Sequence, residues 1–231
     1  MTVSSPDNPG TVLVTGGASG LGAAVVDGVE KAGGQPLVLD RKAPAREVEH
    51  LLVDLSDTRA AERAATQLAS RGLDAVVACA GIDACGRLED VPGEDWDRVV
   101  AVNLLGVAAV VRAALPSLHD RHGRIVTVAS TLGLRALSDA TAYCASKFGL
   151  VGFTRALATE LAGEVGVTLL IPGGMRTAFF DGRPDQYKPG PDADLNDPAD
   201  VARAVLFALT QPIGCEVREM VVAASRESSW P

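Results

Sequence analysis

Residues 11–31 read TVLVTGGASGLGAAVVDGVEK. The opening TVLVT is a short apolar, β-branched run, which predicts a buried strand. Gly16, Gly17, Ala18, Ser19, Gly20, Leu21 and Gly22 follow, and a helical pattern then runs to about Lys31. A strand, a glycine-rich turn and a helix leave bare backbone N–H groups at the helix N-terminus, a geometry that suits a pyrophosphate. The spacing is TGxxxGxG rather than GxGxxG. A tight strand–helix turn with no ligand would use the same glycines, so the rest of the chain has to decide.

Strand and helix patterns alternate outward from that unit. QPLVLD at Gln35–Asp40 reads as a second strand, 50–53 as a third and 73–78 as a fourth. The patterns at 123–129, 165–171 and 216–222 give a fifth, sixth and seventh. Helical patterns at 57–70, 94–118, 142–161 and 196–209 separate them, the last opened by Asp197-Pro198. Strands alternating with helices predict a Rossmann-type, doubly wound parallel sheet of about seven strands, three-layered α/β/α, in one domain over 1–231. Ligands of such sheets bind outside the C-terminal strand ends.

The 231 residues suit a single α/β domain with a sizeable core. A net charge of −8 argues against nucleic acid or an anionic membrane as the main partner. It leaves room for an anionic cofactor held locally by backbone N–H groups. Cys79, Cys85, Cys144 and Cys215 form no CxxC pair and the three histidines stand apart from them, which argues against a metal site. The N-terminal MTVSSPDNPG has no apolar leader core, and no uninterrupted apolar run reaches the ~18 residues of a membrane span. These features predict a cytoplasmic protein with reduced thiols.

The chemistry is concentrated at 127–147, TVASTLGLRALSDATAYCASK. Ser130 lies at a strand end. Tyr143 and Lys147, four apart on a helix, fall on one face about a turn apart. Most such pairs are ordinary surface residues. A hydroxyl, a phenol and a lysine brought together would instead make a proton-transfer site. A phenol with a reference pKa near ~10 is a poor base at neutral pH. A neighbouring ammonium favours the phenolate, and a shift of ~3 units needs roughly 4 kcal/mol, which one lysine charge plus a bound cationic ring could supply.

Other residues at strand ends add to the pattern. Asp40, eighteen residues after Gly22, can accept from both adenosine ribose hydroxyls and would repel a 2′-phosphate, which favours NAD(H). Ser19, where a basic residue could stand, leans the same way. Arg41 could instead hold a 2′-phosphate, so NADP(H) stays possible. Asp54, before Leu55, could accept from an adenine amino group or simply start a helix. Ala80-Gly81 permits close backbone approach to a flat ligand. Asn103 is a poor helix former within a long helical stretch; it reads as a satisfied core amide or as the mark of a kink that binds water. Pro172-Gly173 breaks the chain, and Thr177 could bond a nicotinamide carboxamide. The Pro-, Gly- and Asp-rich segment 178–195 is expected to be a mobile lid.

Taken in order, TGGASGLG at 15–22, Asp54-Leu55, Ala80-Gly81, Asn103, Ser130, YCASK at 143–147 and Pro172-Gly173 with Thr177 resemble the short-chain dehydrogenase/reductase family, in its compact single-domain branch. The resemblance covers essentially the whole chain. It implies Tyr143 as general acid/base at the substrate oxygen. Lys147 lowers its pKa and binds the nicotinamide ribose, Ser130 orients the substrate oxygen, and Asn103 holds a relay water. It also implies a homodimer or homotetramer packed through the Asn103 and Tyr143 helices. Two departures stand out: Ala78-Cys79-Ala80-Gly81 replaces the usual Asn-Asn-Ala-Gly, and the segment after Thr177 is short. The run EVREMVV looks like the subgroup acting on small hydroxy acids and 3-hydroxyacyl-type alcohols, many of which use NADP.

The leading expectation is an oxidoreductase that interconverts a secondary alcohol and a ketone with NAD(H). An NADP(H)-dependent carbonyl or 3-oxoacyl reductase is the alternative within the class, and a non-catalytic dinucleotide sensor the alternative outside it. Leu132, Leu134, Leu137, Phe179 and Phe180 are the expected apolar lining, compatible with many alcohols.

Overall fold

A computed structural model describes residues 8–227 and 229. The readings of the extreme N-terminus and of the last two residues of the tail lie outside the described residues. The strands are β1 (Thr11–Thr15), β2 (Gln35–Asp40), β3 (Glu49–Leu52), β4 (Ala75–Ala78), β5 (Arg124–Val128), β6 (Gly166–Pro172) and β7 (Glu219–Val222). They form one sheet in the order β3-β2-β1-β4-β5-β6-β7, with every pair parallel. The chain crosses from β3 at one edge to β4 beside β1. The order therefore reverses between β1 and β4, and a crevice opens at their C-terminal ends.

Alternation along the central strands divides the core. Leu13, Leu37, Leu39, Val76 and Ile125 point to one face, in a cluster with residues of α2 (Thr58–Ala69), α4 (Val107–Arg121) and α5 (Thr141–Glu160). Val12, Val14, Val38, Val77 and Val126 point to the other, under α1 (Gly20–Lys31) and α6 (Pro198–Leu209). Asp57 caps α2 by accepting from the N–H groups of Arg59 and Ala60. Asp197 caps α6, with Pro198 in its first turn. Both are ordinary N-terminus chemistry.

The helix expected over 94–118 is three pieces in one run: α3 (Gly93–Val100), a π-helical stretch (Ala101–Gly106) and α4. Asn103 sits inside the π stretch. Counted through Asn103 and Arg112, Gly93–Arg121 is long and apolar enough to cross a membrane, although no uninterrupted apolar run within it is. Half of its apolar window is buried inside the fold. The lid, read as a mobile loop, carries two short 3-10 turns, Ala178–Phe180 and Asp185–Tyr187.

Candidate active site

A cavity of about 1050 Å³ opens at the C-terminal strand ends. Its lining includes Gly16, Ser19, Gly20, Leu21, Gly22, Asp40, Arg41, Asp54, Leu55, Ala80, Gly81, Ser130, Tyr143, Lys147, Pro172, Gly173 and Thr177. Of the candidate catalytic and cofactor-binding residues named above, only Asn103 stands outside the lining, one layer behind it.

The glycine turn is built by close approach. Gly16 has φ +70°, and a Cβ there would lie 2.8 Å from the Ala80 Cα. A Cβ on Gly22 would lie 2.1 Å from the Gly16 carbonyl oxygen. Only hydrogen at both positions lets the first turn of α1 close onto the strand end, which leaves its N–H groups facing the cavity. Thr177 closes the opposite side, its methyl 3.4 Å from where a Gly20 Cβ would stand. Asp40 Oδ2 accepts from the Ala18 N–H at 3.0 Å and Oδ1 from the Lys42 N–H at 3.1 Å. The carboxylate is thereby held beside the turn, with a lone pair left on each oxygen. Arg41 is exposed on the rim, with no side-chain partner among the described residues. This cradle fits a dinucleotide.

Asp54 has a partner that sequence reasoning missed. Arg98 Nη2 donates to Asp54 Oδ2 at 2.5 Å, and the Ser56 N–H and hydroxyl donate to Oδ1 at 2.9 and 2.7 Å. Burial alone would raise the carboxyl pKa. The Ser56 N–H, Arg98 and the Ser56 hydroxyl outweigh it and bring the value down to about 2. Asp54 organises the loop before α2 and also lines the cavity.

Asn103 is fully buried. Its Oδ1 accepts from the Ile82 N–H at 2.9 Å, and its Nδ2 donates to the Ile82 carbonyl at 2.9 Å and to the Ser146 hydroxyl at 3.0 Å. The Ser146 hydroxyl donates in turn to the Tyr143 carbonyl at 2.8 Å. Asn103 thus ties the loop after β4 to the helix of Tyr143. It is a satisfied core amide, and it lies in a π distortion of the helix. Gly81 lies between it and the lysine, for a Cβ there would stand 3.6 Å from both Asn103 Oδ1 and Lys147 Nζ.

Tyr143 and Lys147 are almost wholly buried on one face of α5. Lys147 Nζ donates to the Val128 carbonyl at 2.8 Å and lies 5.6 Å from the Tyr143 ring centroid. Burial lowers the ammonium pKa to about 8, against the charges of Cys79 and Asp83. Burial also raises the phenol pKa to about 12, with the Ser130 hydroxyl as the first opposing influence. Lys147 is not among the leading influences on the phenol, and the lowering expected from the sequence counted on a bound cationic ring as well as the lysine. In this state desolvation dominates and the phenol is protonated at neutral pH. Ser130 Oγ also accepts from the Leu132 N–H at 3.1 Å, capping a 3-10 turn (Thr131–Gly133) at the end of β5.

Cys79, where the family's second asparagine is expected, packs against the valine cluster on the α1 side of the sheet. Burial pushes its thiol up to about 12. Of the apolar lining expected from sequence, Leu132, Leu137, Phe179 and Phe180 face the cavity, whereas Leu134 packs against the core. The tail also reaches the site. Glu227 Oε2 accepts from the Gly174 N–H at 2.8 Å, Glu227 Oε1 accepts from the Ser229 hydroxyl at 2.7 Å, and that hydroxyl pairs with Thr131 Oγ1 at 2.7 Å. No local signal in SRESSWP announces this contact, because it depends on where β7 ends.

Comparison with known proteins agrees with this geometry. The short chain dehydrogenase family model matches residues 10–188. The D-beta-hydroxybutyrate dehydrogenase of Rhizobium meliloti (strain 1021) is 35% identical over 198 residues, covering 77% of this chain and 76% of that protein. An uncharacterized oxidoreductase of Staphylococcus aureus (strain MW2) is 31% identical over 224 residues, covering 91% and 95%. Among solved structures, an alcohol dehydrogenase of Thermococcus sibiricus complexed with 5-hydroxy-NADP superposes with a TM-score of 0.82 at 24% identity, covering 96% and 98%. At that identity the superposition speaks to the fold, whereas the family model and the sequence relatives speak to descent. The chain belongs to the short-chain dehydrogenase family, and it is an oxidoreductase with a Rossmann-type dinucleotide-binding fold.

Proposed function

We propose that the protein interconverts a secondary alcohol and a ketone with NAD(H). The observation that carries this reading is the convergence of Tyr143, Lys147 and Ser130 on one cavity with the glycine cradle and Asp40. A bound nicotinamide dinucleotide supplies the hydride donor or acceptor. The Ser130 hydroxyl orients the substrate oxygen. The Tyr143 hydroxyl gives that oxygen its proton in the reductive direction and takes it back in the oxidative one. Lys147, braced on the Val128 carbonyl, places positive charge beside the phenol and stabilises the phenolate left by proton transfer. Asn103 acts as a positioning residue, through Ile82 and Ser146. Both amide hydrogens are spent on those partners, which leaves one lone pair on Oδ1 as the side chain's free acceptor for a relay water.

The preference for NAD(H) rests on the carboxylate of Asp40, fixed beside the glycine turn, which would repel a 2′-phosphate. A second reading, NADP(H) with Arg41 on the phosphate, draws support from the exposed Arg41 side chain on the rim. Calorimetric titration with NADH and with NADPH separates the two: at least tenfold tighter NADH supports Asp40, and the reverse order moves the assignment to NADP(H). The test of the chemistry is Tyr143→Phe, expected to abolish turnover while cofactor binding stays near wild type. Substantial residual turnover would end this reading. A homo-oligomer belongs to the same proposal. Leu105 and Phe148, 51% and 45% exposed, stand beside the contact of Leu104 with Gly149, between the π stretch and α5.

A further inference from the structure

Beside Tyr143 the cavity holds a charged pair that the chemistry above does not use. Arg183, on the lid, donates through Nη2 to Asp83 Oδ2 at 2.6 Å, and the two side chains are 18% and 6% exposed. Asp83 lies in the loop after β4, two residues beyond Gly81. Each of its oxygens has a further donor within the chain. Oδ1 accepts from the Ala84 N–H at 2.7 Å and Oδ2 also from the Cys85 thiol at 3.1 Å. The guanidinium carbon lies 5.0 Å from the Phe179 ring centroid and 4.6 Å from that of Phe180, and Phe179 in turn stacks on Tyr143 at 5.7 Å.

The accounting of the guanidinium is incomplete. Nη2 serves Asp83, Nη1 serves the Tyr187 carbonyl at 3.3 Å, and Nε is buried with no partner among the described residues. Buried polar atoms are nearly always paired, so an orphan donor on a cation lining a ligand cavity calls for an acceptor from outside the chain. A guanidinium edge matches the two oxygens of a carboxylate. Asp83 is already paired with Arg183 and its side chain is only 6% exposed, which makes it the poorer anchor for a cationic substrate. Asp83 and Arg183 cancel each other's charge, which leaves the Lys147 ammonium as the excess beside the reacting position.

We propose that Arg183 is a specificity-determining residue that accepts the carboxylate of a hydroxy acid or oxo acid, with Asp83 as the positioning residue that holds it over Tyr143. This deepens the alcohol–ketone reading and rests on it. The pair also pins the lid, because it joins segment 178–195 to the loop after β4. Carboxylate recognition goes further than a latch, since a latch alone would leave no reason for the orphan Nε.

The test is a binding measurement that does not depend on turnover. The protein is saturated with NADH and titrated calorimetrically with pyruvate, acetoacetate and levulinate, and with the methyl ester of each. At least one free acid is expected to bind tenfold or more tightly than its ester. Arg183→Met should erase that difference by weakening the acid about 10- to 100-fold while leaving the ester within about threefold. Arg183→Lys, which keeps the charge and loses the fork, should restore part of it. NADH affinity and the melting temperature of each variant report whether the fold survives. Equal binding of acids and esters, binding of neither, or equal weakening of both in Arg183→Met would overturn the proposal. Turnover of neutral ketones alongside any of those results would leave the alcohol–ketone reading standing, whereas wild-type turnover retained in Tyr143→Phe would remove that reading alone.

Discussion

Gly22→Ala is the sharpest probe of the cofactor cradle, because the structure specifies what the added methyl meets. The new carbon would stand 2.1 Å from the Gly16 carbonyl oxygen, 2.6 Å from its carbon and 3.0 Å from the Gly17 nitrogen. All three are backbone atoms of the glycine turn, so no side chain can swing away. Relief requires the start of α1 to move off the turn by about 1 Å, in a close-packed region that resists it. Val25, Val26 and Val29 hold the helix into the core, so the strain appears as lost stability of roughly 1–3 kcal/mol. The same displacement takes the helix N–H groups out of register with a pyrophosphate. Losing two hydrogen bonds to a charged group, at ~1.5–3 kcal/mol each, weakens NADH by about 100-fold or more. The assay is a pair of measurements, thermal melting without ligand and calorimetric titration with NADH. Gly93→Ala is the control. That glycine begins α3, and an added Cβ there meets nothing within 4 Å. It should bind NADH normally and melt no lower than wild type. A Gly22→Ala protein that loses stability yet binds NADH within threefold of wild type would refute the placement of the pyrophosphate on the N-terminus of α1.

Other outcomes follow from the same geometry. Asn103→Leu strands the Ile82 N–H and carbonyl and loosens Ser146, so it should cost about 2–4 kcal/mol in denaturant unfolding and slow turnover as well. Lys147 has a native pKa of about 8, against 10.5 for the unfolded chain. Between those values the unfolded chain binds more protons, so wild type should gain stability relative to Lys147→Met as pH rises through that window. Tyr143 acts oppositely above about pH 10, because its native phenol stays protonated up to about 12. Melting temperatures of wild type, Lys147→Met and Tyr143→Phe across that range check both signs. Arg98→Ala should change stability by less than about 1 kcal/mol, the ion pair with Asp54 being about a third exposed. A larger loss would mean that the pair organises more of the loop than its exposure suggests.

The periodicities carried the fold. β1 and β2 fall on the residues that their apolar runs indicate, and the other strands differ from expectation by one to three residues at one or both ends. Parallel pairing followed from helices standing between successive strands, except at β2 and β3, which pair in parallel although only a loop joins them. Glycine spacing and the Tyr143–Lys147 interval are local, so the cradle and the helix face of the site were legible too. The π stretch was signalled only indirectly, by an asparagine in a helix that has no use for one.

What the tertiary structure alone decided depends on distance in the chain. Arg183 meets Asp83 across 100 residues, Arg98 meets Asp54 across 44, and the tail brings Ser229 to Thr131 across 98. No local propensity encodes such pairings, because each is set by where the lid, the strand ends and the tail come to rest. The phenol is the clearest instance. Sequence places a lysine four residues away and so argues for a lowered pKa. Burial removes the water that would solvate a phenolate, and that desolvation outweighs the opposing influences of Ser130 and Arg183.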